Sequence, residues 1–363
     1  MNRCTKCLIP DTRPDTAFVD GVCSACITHE SRNNIDWNAR KQDLITLLDR
    51  HDGRCLVPSS GGKDSTFQCM TLKELGADVT AVTATTCMLT EIGRKNIESL
   101  SRHVRTVTYT PNQTVRAKLN RLGLTLVGDI SWPEHVAIFT TPFKAALDLK
   151  IPLIFYGENP QAQYGGPLGA EESVTMTRRW VSEFGGFLGL RPSDMIGNDG
   201  ITERDMSDYM PPSPFDIDAA KVDAHFLGQY VPWNSRVNAQ VAKDSGMLIP
   251  ELPPTKANVW NSENLDNLQT GLHDHAMYRK YGYGRGCAQI SVDVRNGILS
   301  RDDALAWVEL CDGLFPETYM SVHVGRVLQH IGMTHEKLME TLDKFTNWDL
   351  FDGVANGGKP VFK

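Results

Sequence analysis

The chain has 363 residues, of which 41% are hydrophobic and 22% are charged, and its net charge is −7 at a sequence pI of about 5.8. These values are those of a globular protein and exclude wholesale disorder. No basic run exceeds three residues, so the acidic balance argues against a nucleic-acid partner. The N-terminal residues carry no secretory signal, and no apolar run reaches the roughly 20 residues that span a bilayer. We therefore expect a cytoplasmic protein without a membrane partner.

The first segment, residues 1–32, predicts a small zinc-binding unit. Cys4 and Cys7 form one pair, Cys23 and Cys26 form a second, and 15 residues separate the two pairs. This spacing is typical of Zn²⁺ held by four thiolates, and so short a segment needs a metal to fold. The alternatives are a redox Cys-x-x-Cys motif, which needs only one pair, four unrelated core cysteines, or an iron–sulfur cluster with the same ligands.

Residues 33–265 predict a domain in which strands and helices alternate. The predicted elements are, in chain order, a helix over 35–50, a strand at 55–57, a helix over 63–75, a strand at 79–83, a helix over 93–104, a strand at 107–109, helices over 112–122 and 134–148, and a strand at 152–156. This alternation predicts an α/β fold with a parallel sheet. Residues 168–260, rich in Pro, Asp and Met, predict an insertion of short helices and loops that covers the active site.

The C-terminal region, residues 266–363, is predicted to be helical and to complete the active site. Residues 302–312 and 335–346 have helical spacing, with Ser300 and Thr334 as N-caps.

Residues 60–65, Ser-Gly-Gly-Lys-Asp-Ser, connect a predicted strand to a predicted helix and predict a phosphate-binding loop. N–H groups at a helix N-terminus attract anions, and glycines let the backbone curl around an oxyanion. Asp64 would repel phosphate directly, so we assign it to a bound Mg²⁺. The loop lacks the four-residue gap of a Walker A motif. It resembles the pyrophosphate loop (PP-loop) of the ATP-pyrophosphatases, which cleave ATP between the α and β phosphates.

Several further segments together resemble one family. They are the cysteine-rich start at 4–14, Glu-Ile-Gly-Arg-Lys-Asn at 91–96, Gly-Glu-Asn-Pro-Gln at 157–161, Tyr-Gly-Gly at 164–166, Lys-Tyr-Gly-Tyr-Gly-Arg at 280–285 and Asp-Val-Arg-Asn-Gly at 293–297. This combination resembles the N-acetyl sugar amidotransferases of bacterial O-antigen and pseudaminic- or legionaminic-type sugar pathways. The resemblance covers most of the chain and is weakest at 168–260. Gln163 and Gly286-Cys287 depart from the family's pattern.

The resemblance implies a nucleotide-binding core of the PP-loop ATPase type, similar to the adenine nucleotide alpha hydrolases, and an ATP-dependent amidotransferase activity. A carboxylate or N-acetyl carbonyl oxygen of a free or nucleotide-linked sugar attacks the α-phosphate of ATP, pyrophosphate leaves, and ammonia displaces AMP. Ammonia is expected from a separate glutaminase with a barrel-like companion, similar to the imidazole-glycerol-phosphate synthase pair. The residue after Met1 is Asn2, and no nucleophile elbow is found, so the chain is not expected to supply ammonia itself. The oligomeric state is left open, with a homo-oligomer as one alternative.

Ligands of α/β sheets lie outside the carboxyl ends of the strands, and this rule and the resemblance together assign the site residues. The catalytic candidates are Asp64, Glu158, Lys280 and Arg285. The ATP-binding candidates are Ser60, Gly61, Gly62, Lys63, Asp64, Ser65, Thr83 and Gly157. The sugar-binding candidates are Arg94, Asn159 and Tyr164.

Some of these residues have structural alternatives. Glu158 could cap a helix, Arg94 could lie on a solvated face, and Asn159 could make a turn. Gly282 and Gly284 predict a flexible loop that folds over the phosphates. The scattered histidines, including His273 and His275, show no third ligand in the sequence and are interpreted as structural or as substrate contacts.

Three rival functions share part of the evidence. A sulfur transferase that thiolates tRNA has the same loop and zinc unit, but it needs a reactive cysteine, for which Cys87 or Cys287 could serve. A nucleotide-sensing scaffold would bind ATP without turnover. An argininosuccinate- or asparagine-forming ligase has the loop but lacks the N-terminal zinc unit.

Overall fold

A computed structural model describes residues 1–355 and 357–363. The chain begins with a small unit around the four cysteines, in which strand β1 (Phe18–Val19) pairs antiparallel with β2 (Val22–Cys23) and is followed by helix α1 (Ser24–Ser31). Helix α2 (Trp37–Arg50) comes next, and the Asp36 side chain caps its first N–H groups.

The elements that follow are, in chain order, β3 (Arg54–Pro58), α3 (Lys63–Glu74), β4 (Asp78–Ala84), α4 (Glu91–Leu100), β5 (Arg105–Tyr109), α5 (Gln113–Val127), α6 (Trp132–Leu149), β6 (Leu153–Tyr156), α7 (Pro160–Tyr164), α8 (Arg178–Phe184), α9 (Glu203–Met206), α10 (Pro214–Ala219), β7 (Asp223–Phe226), α11 (Ser235–Asp244), α12 (Thr270–Tyr281), α13 (Arg285–Arg295), α14 (Arg301–Cys311), β8 (Thr318–Tyr319), β9 (Val322–His323), α15 (Gly325–Ile331), α16 (His335–Phe345), β10 (Phe351–Val354) and β11 (Pro360–Phe362).

The central sheet has five parallel strands in the order β5-β4-β3-β6-β7. The prediction of an α/β fold with a parallel sheet is therefore confirmed. The chain moves outward from β3 to β4 and β5, and then returns to place β6 and β7 on the other side of β3. The strand order thus reverses between β3 and β6, which makes a crevice at the carboxyl ends of these two strands.

The two faces of the sheet are both buried, as expected for parallel strands. In β3, Cys55 and Val57 pack with Leu72 of α3 on one face. Leu56 points to the other face and packs with Ala145 of α6 and Ile154 of β6. Because helices cover both faces, the carboxyl edge is where polar groups of the strand ends can meet a ligand.

The segment 168–260 contains more than the predicted short helices and loops. It supplies β7, which pairs with β6 at the edge of the sheet, and α11, which packs against α3. The strand was missed because its four residues, Asp-Ala-His-Phe, include two polar ones and so give no apolar run. This segment therefore belongs in part to the core.

The prediction of a flexible loop at Gly282 and Gly284 was wrong. Gly282, at φ 74°, ends α12, and Gly284 begins α13 directly afterwards. Both glycines are buried, and the Gly284 N–H donates to Asp312 Oδ2 at 2.7 Å. A Cβ at Gly284 would lie 2.7 Å from Asp312 Oδ1, so the glycine serves a tight helix–helix turn.

The C-terminal region carries the helices α12 to α16 and, in addition, two antiparallel hairpins, β8–β9 and β10–β11. Leu272 of α12, Leu328 of α15 and Leu338 of α16 share one hydrophobic core with Leu124 of α5. This packing joins the region to the sheet domain. Among the described residues, no helix combines the length and the apolarity needed to cross a membrane.

Candidate functional site

A cavity of about 590 Å³ lies at the carboxyl edge of the sheet, at the crevice between β3 and β6. Residues 58–65, at the end of β3 and after it, line one side of it, and residues 156–158, at the end of β6 and after it, line another. The far wall comes from α6, from residues 262–267, and from α12 and α13. This is the position at which doubly wound α/β proteins bind their ligands.

The loop after β3 is shaped by a serine that the sequence motif does not include. Ser59 Oγ accepts a hydrogen bond from the Gly61 N–H at 3.0 Å and donates to Ser65 Oγ at 2.9 Å. Gly61 has φ 72°, and a Cβ there would lie 2.6 Å from the backbone nitrogen of Ile97 in α4. Gly62 begins α3 without a side-chain cap, so the first N–H groups of the helix are left for an external acceptor. The loop therefore has the form of an anion cradle.

Lys63 is buried within a group of carboxylates. Its side chain is only 2% exposed, forms an ion pair with Asp64, and has its Nζ 3.8 Å from Glu263 Oε1. The ammonium also lies 5.7 Å from the centre of the Trp260 ring. Burial lowers the pKa of Lys63, but the charges of Asp64, Glu263 and Glu158 outweigh it and raise the pKa overall. Lys63 therefore stays charged and neutralises the acidic side of the cavity.

Asp64, in the first turn of α3, and Glu158, just after β6, both line the cavity. Asn238 of α11 donates to Asp64 Oδ1 at 2.9 Å, which fixes that carboxylate. Burial and repulsion by Asp64 raise the pKa of Glu158 to about 7. Two carboxylates that repel each other are the oxygen donors that Mg²⁺ prefers, so this pair fits the expected magnesium ion.

The far wall carries a cation, and α7 carries a phenol that also lines the cavity. Arg285 lies at the start of α13, and its guanidinium pairs with Asp274 Oδ1 at 3.2 Å. Burial lowers the pKa of Arg285, but Asp274 and Glu263 outweigh it and keep the pKa above its usual range. Burial raises the pKa of Tyr164, which remains a neutral hydrogen-bonding group. Arg285 and Tyr164 thus offer a positive charge and a hydroxyl to a polar ligand.

The structure brings most of the predicted residues to this cavity. Those that line it are Ser60, Gly61, Gly62, Lys63, Asp64, Ser65, Gly157, Glu158, Tyr164 and Arg285. Gly157 is confined by its neighbours, since a Cβ there would lie 2.9 Å from the Trp233 ring.

Four predicted residues are placed elsewhere. Thr83 is buried in β4, and its neighbours Val82 and Ala84 line the cavity in its place. Asn159 caps α7 by accepting from the Gln161 N–H at 3.1 Å, a structural role that the sequence analysis considered for its neighbour Glu158.

The other two are the cations Arg94 and Lys280. Arg94 is 48% exposed on α4 and pairs with Glu91 at 2.8 Å and with Glu98. Lys280 donates to the Val127 carbonyl at 2.9 Å. Neither Arg94 nor Lys280 is among the described residues that line the cavity.

A buried polar group in the cavity wall, centred on Arg116 and Glu134, was missed by sequence reasoning. Arg116 of α5 is 1% exposed, and it donates to Glu134 Oε1 at 3.0 Å and to the Tyr209 hydroxyl at 2.7 Å. Asn120 and Gln269 also donate to Glu134. These residues occur within helical patterns, and nothing in the sequence signals that they converge.

The four predicted metal ligands Cys4, Cys7, Cys23 and Cys26 form one buried cluster. Cys4 Sγ lies 3.8 Å from Cys26 Sγ, and Cys7 Sγ lies 3.6 Å from Cys23 Sγ. Thiolates at about 2.3 Å from a tetrahedral Zn²⁺ are about 3.8 Å apart, so the cluster fits zinc. All four ligand positions are taken by protein, which is the arrangement of a structural site.

The cysteine unit also supports the cavity. Ser24 Oγ donates to the Gly166 carbonyl at 2.7 Å, next to the segment that carries Tyr164. Arg13 lines the cavity and donates to the Gly165 carbonyl at 3.2 Å and to the Tyr283 hydroxyl at 2.6 Å. Loss of this unit would therefore remove part of the cavity wall.

The fold and the site define an α/β protein with an anion-binding loop and a group of carboxylates at the switch point of a parallel sheet. Residues 258–355 match the family described as the C-terminal domain of WbpG-like LPS biosynthesis proteins. This match includes Glu263, Arg285 and the far-wall helices α12 and α13, and it supports a context in lipopolysaccharide (LPS) biosynthesis. No curated protein matches the chain.

Proposed function

We propose that this protein is an ATP-dependent, AMP-forming amidotransferase of the PP-loop type that acts on a sugar in LPS biosynthesis. The observation that carries the proposal is the loop at 59–65, whose shape suits an anion at the N-terminus of α3 beside a pair of carboxylates. The match of residues 258–355 supports the pathway, and the resemblance of the motifs supports the reaction.

In this proposal the loop holds the β and γ phosphates of ATP with its N–H groups and with the hydroxyls of Ser60 and Ser65. Asp64 and Glu158 hold Mg²⁺, which neutralises the phosphates when it is bound. Arg285 supplies positive charge from the opposite wall. The chain's contribution is mainly positioning and charge stabilisation.

The reaction proceeds by two displacements. A carboxylate or N-acetyl carbonyl oxygen of the sugar bonds to the α-phosphorus while the bond to the bridging oxygen breaks and pyrophosphate leaves. Ammonia then bonds to the activated carbon, the carbon–oxygen bond to AMP breaks, and a proton passes to solvent. We propose a separate glutaminase with a barrel-like companion as the source of ammonia.

The test is to incubate the protein with ATP, Mg²⁺, ammonium and a panel of free and nucleotide-linked amino sugars. We expect AMP to form only with a particular sugar, whose product mass fits replacement of oxygen by nitrogen. Asp64→Ala should abolish AMP formation and keep its zinc, whereas Asp78→Ala, at a side chain 73% exposed on β4, should not change either. ADP and orthophosphate as products, or normal turnover by Asp64→Ala, would contradict the proposal.

The rival sulfur transferase finds no support in the thiols. Burial raises the pKa of Cys87 and of Cys287 to about 12, so both stay protonated and poorly nucleophilic at neutral pH. Neither is among the described residues that line the cavity.

A further inference from the structure

Two histidines and an aspartate meet beside the cavity, although they come from distant parts of the sequence. Asp129 lies in the turn between α5 and α6 and is 4% exposed. His135 lies in the first turns of α6, and His273 lies near the start of α12. Both imidazoles line the cavity that the phosphate loop also lines.

Each oxygen of the Asp129 carboxylate has one imidazole nitrogen beside it. His273 Nδ1 lies 2.7 Å from Oδ1, and His135 Nδ1 lies 3.2 Å from Oδ2. The Ser131 N–H donates to Oδ1 at 2.8 Å and so fixes the carboxylate. The two ring centres are 5.2 Å apart. One ligand atom from each residue can be chosen so that all three lie within 4.8 Å of one another.

His135 Nδ1 is not explained by hydrogen bonding. The atom is buried and makes no hydrogen bond, although it lies close to Asp129 Oδ2. Ligand atoms at about 2.1 Å from a common tetrahedral metal ion are about 3.4 Å apart, and the nitrogen lone pair then points to the ion instead of the oxygen. The distance and the missing hydrogen bond are therefore those expected of two ligands of one ion.

We propose that Asp129, His135 and His273 form a binding site for a divalent transition-metal ion, separate from the four-cysteine site. Imidazole with carboxylate suits Zn²⁺, Fe²⁺ or Co²⁺ better than Mg²⁺. Three protein ligands leave a coordination position open, as in catalytic sites. Since the imidazoles line the cavity, the open position is on the side where an oxygen of a substrate can complete the coordination.

Two cations near the site are tied to other groups. Arg116 is paired with Glu134 at 3.0 Å, and the Lys280 ammonium is held by the Val127 carbonyl. The metal site does not depend on the proposed amidotransferase reaction, because it requires only these ligands.

The test measures metal content and not activity. The full chain is brought to equilibrium with buffered Zn²⁺ by dialysis, and bound zinc is counted by mass spectrometry. We expect about two Zn²⁺ per chain, one at the thiolates and one at this site. His273→Gln should retain about one, and the control His323→Gln, at a side chain 70% exposed, should retain about two.

Loading with Co²⁺ distinguishes the two sites and checks the fold. The charge-transfer absorption of Co²⁺-bound thiolates should persist in His273→Gln, while part of the visible absorption is lost. If His273→Gln loses the thiolate absorption, His135→Gln replaces it as the test variant. The proposal would be overturned if the wild type bound one Zn²⁺ per chain, or if the wild type and the folded histidine variant bound equal zinc. Asp129, His135 and His273 would then be a structural cluster held by hydrogen bonds.

Discussion

Replacing Glu158 by glutamine tests the electrostatics of the cavity directly. In the fold the pKa of Glu158 is about 7, against 4.5 for an unperturbed glutamate, because burial and Asp64 disfavour its charge. The folded protein therefore holds this proton more tightly than the unfolded chain does. Ionised Glu158 destabilises the fold, and the penalty grows as the pH rises from about 4.5 to about 7.

The size of the penalty follows from these two pKa values. It is below about 1 kcal/mol at pH 5 and reaches about 3 kcal/mol at pH 8. Glu158→Gln removes the charge, so we expect it to raise the free energy of unfolding by about 2 kcal/mol more at pH 8 than at pH 5. Mg²⁺ should reduce this gain, since the ion relieves the same repulsion in the wild type.

The assay is urea unfolding at both pH values, followed by tryptophan fluorescence, with and without Mg²⁺. Wild type and variant carry the same four thiols, so any loss of zinc at low pH affects both. Glu74→Gln, at an exposed position on α3, is the matched control and should show no difference between the two pH values. An equal effect of Glu158→Gln at pH 5 and pH 8, or a loss of stability at pH 8, would refute the reasoning.

Three further predictions follow from the positions of single residues. Gly61→Ala forces a Cβ into the backbone of α4 and should lower ATP affinity at least tenfold by calorimetry, whereas Gly53→Ala, also at positive φ but with no atom within 4 Å, should keep it. Cys23→Ser should lose zinc from the thiolate site. Because Arg13 of the same unit lines the cavity, the variant should also raise the KM for the sugar more than the Kd for ATP. Equal effects on the KM and the Kd would contradict the inference that the cysteine unit supports the cavity wall. Lys280→Met should keep ATP affinity within about twofold, because the Lys280 ammonium donates to a backbone carbonyl. A large loss of ATP affinity would indicate that Lys280 does contact the ligand in the cavity.

The sequence could predict the features that are continuous along the chain. The phosphate loop and the four cysteines are short motifs, and the strands at β3, β4, β5 and β6 are apolar runs between turns. Their chemistry and their position in the fold follow from local spacing. The placement of Asp64 and Glu158 at the cavity could be predicted in the same way, because both follow strands whose carboxyl ends meet at one edge, while their roles stay predictions.

The rest of the site depends on convergence that local spacing does not encode. Glu263 approaches Lys63, and His273 of α12 approaches Asp129, although other elements separate the two partners in sequence in both cases. Lys280 and Arg285 belong to one motif, yet the turn between α12 and α13 directs only the second to the cavity. Side-chain direction at a tight turn decides such cases, and it is set by packing.

The walls of the cavity join residues from opposite parts of the chain. During synthesis, a chain that has emerged as far as β7 already holds the phosphate loop, Asp64 and Glu158, but it has neither Glu263 nor Arg285. Such a nascent chain has one side of the cavity without the far wall. In the proposed reaction, turnover therefore has to wait until the ribosome has delivered α13.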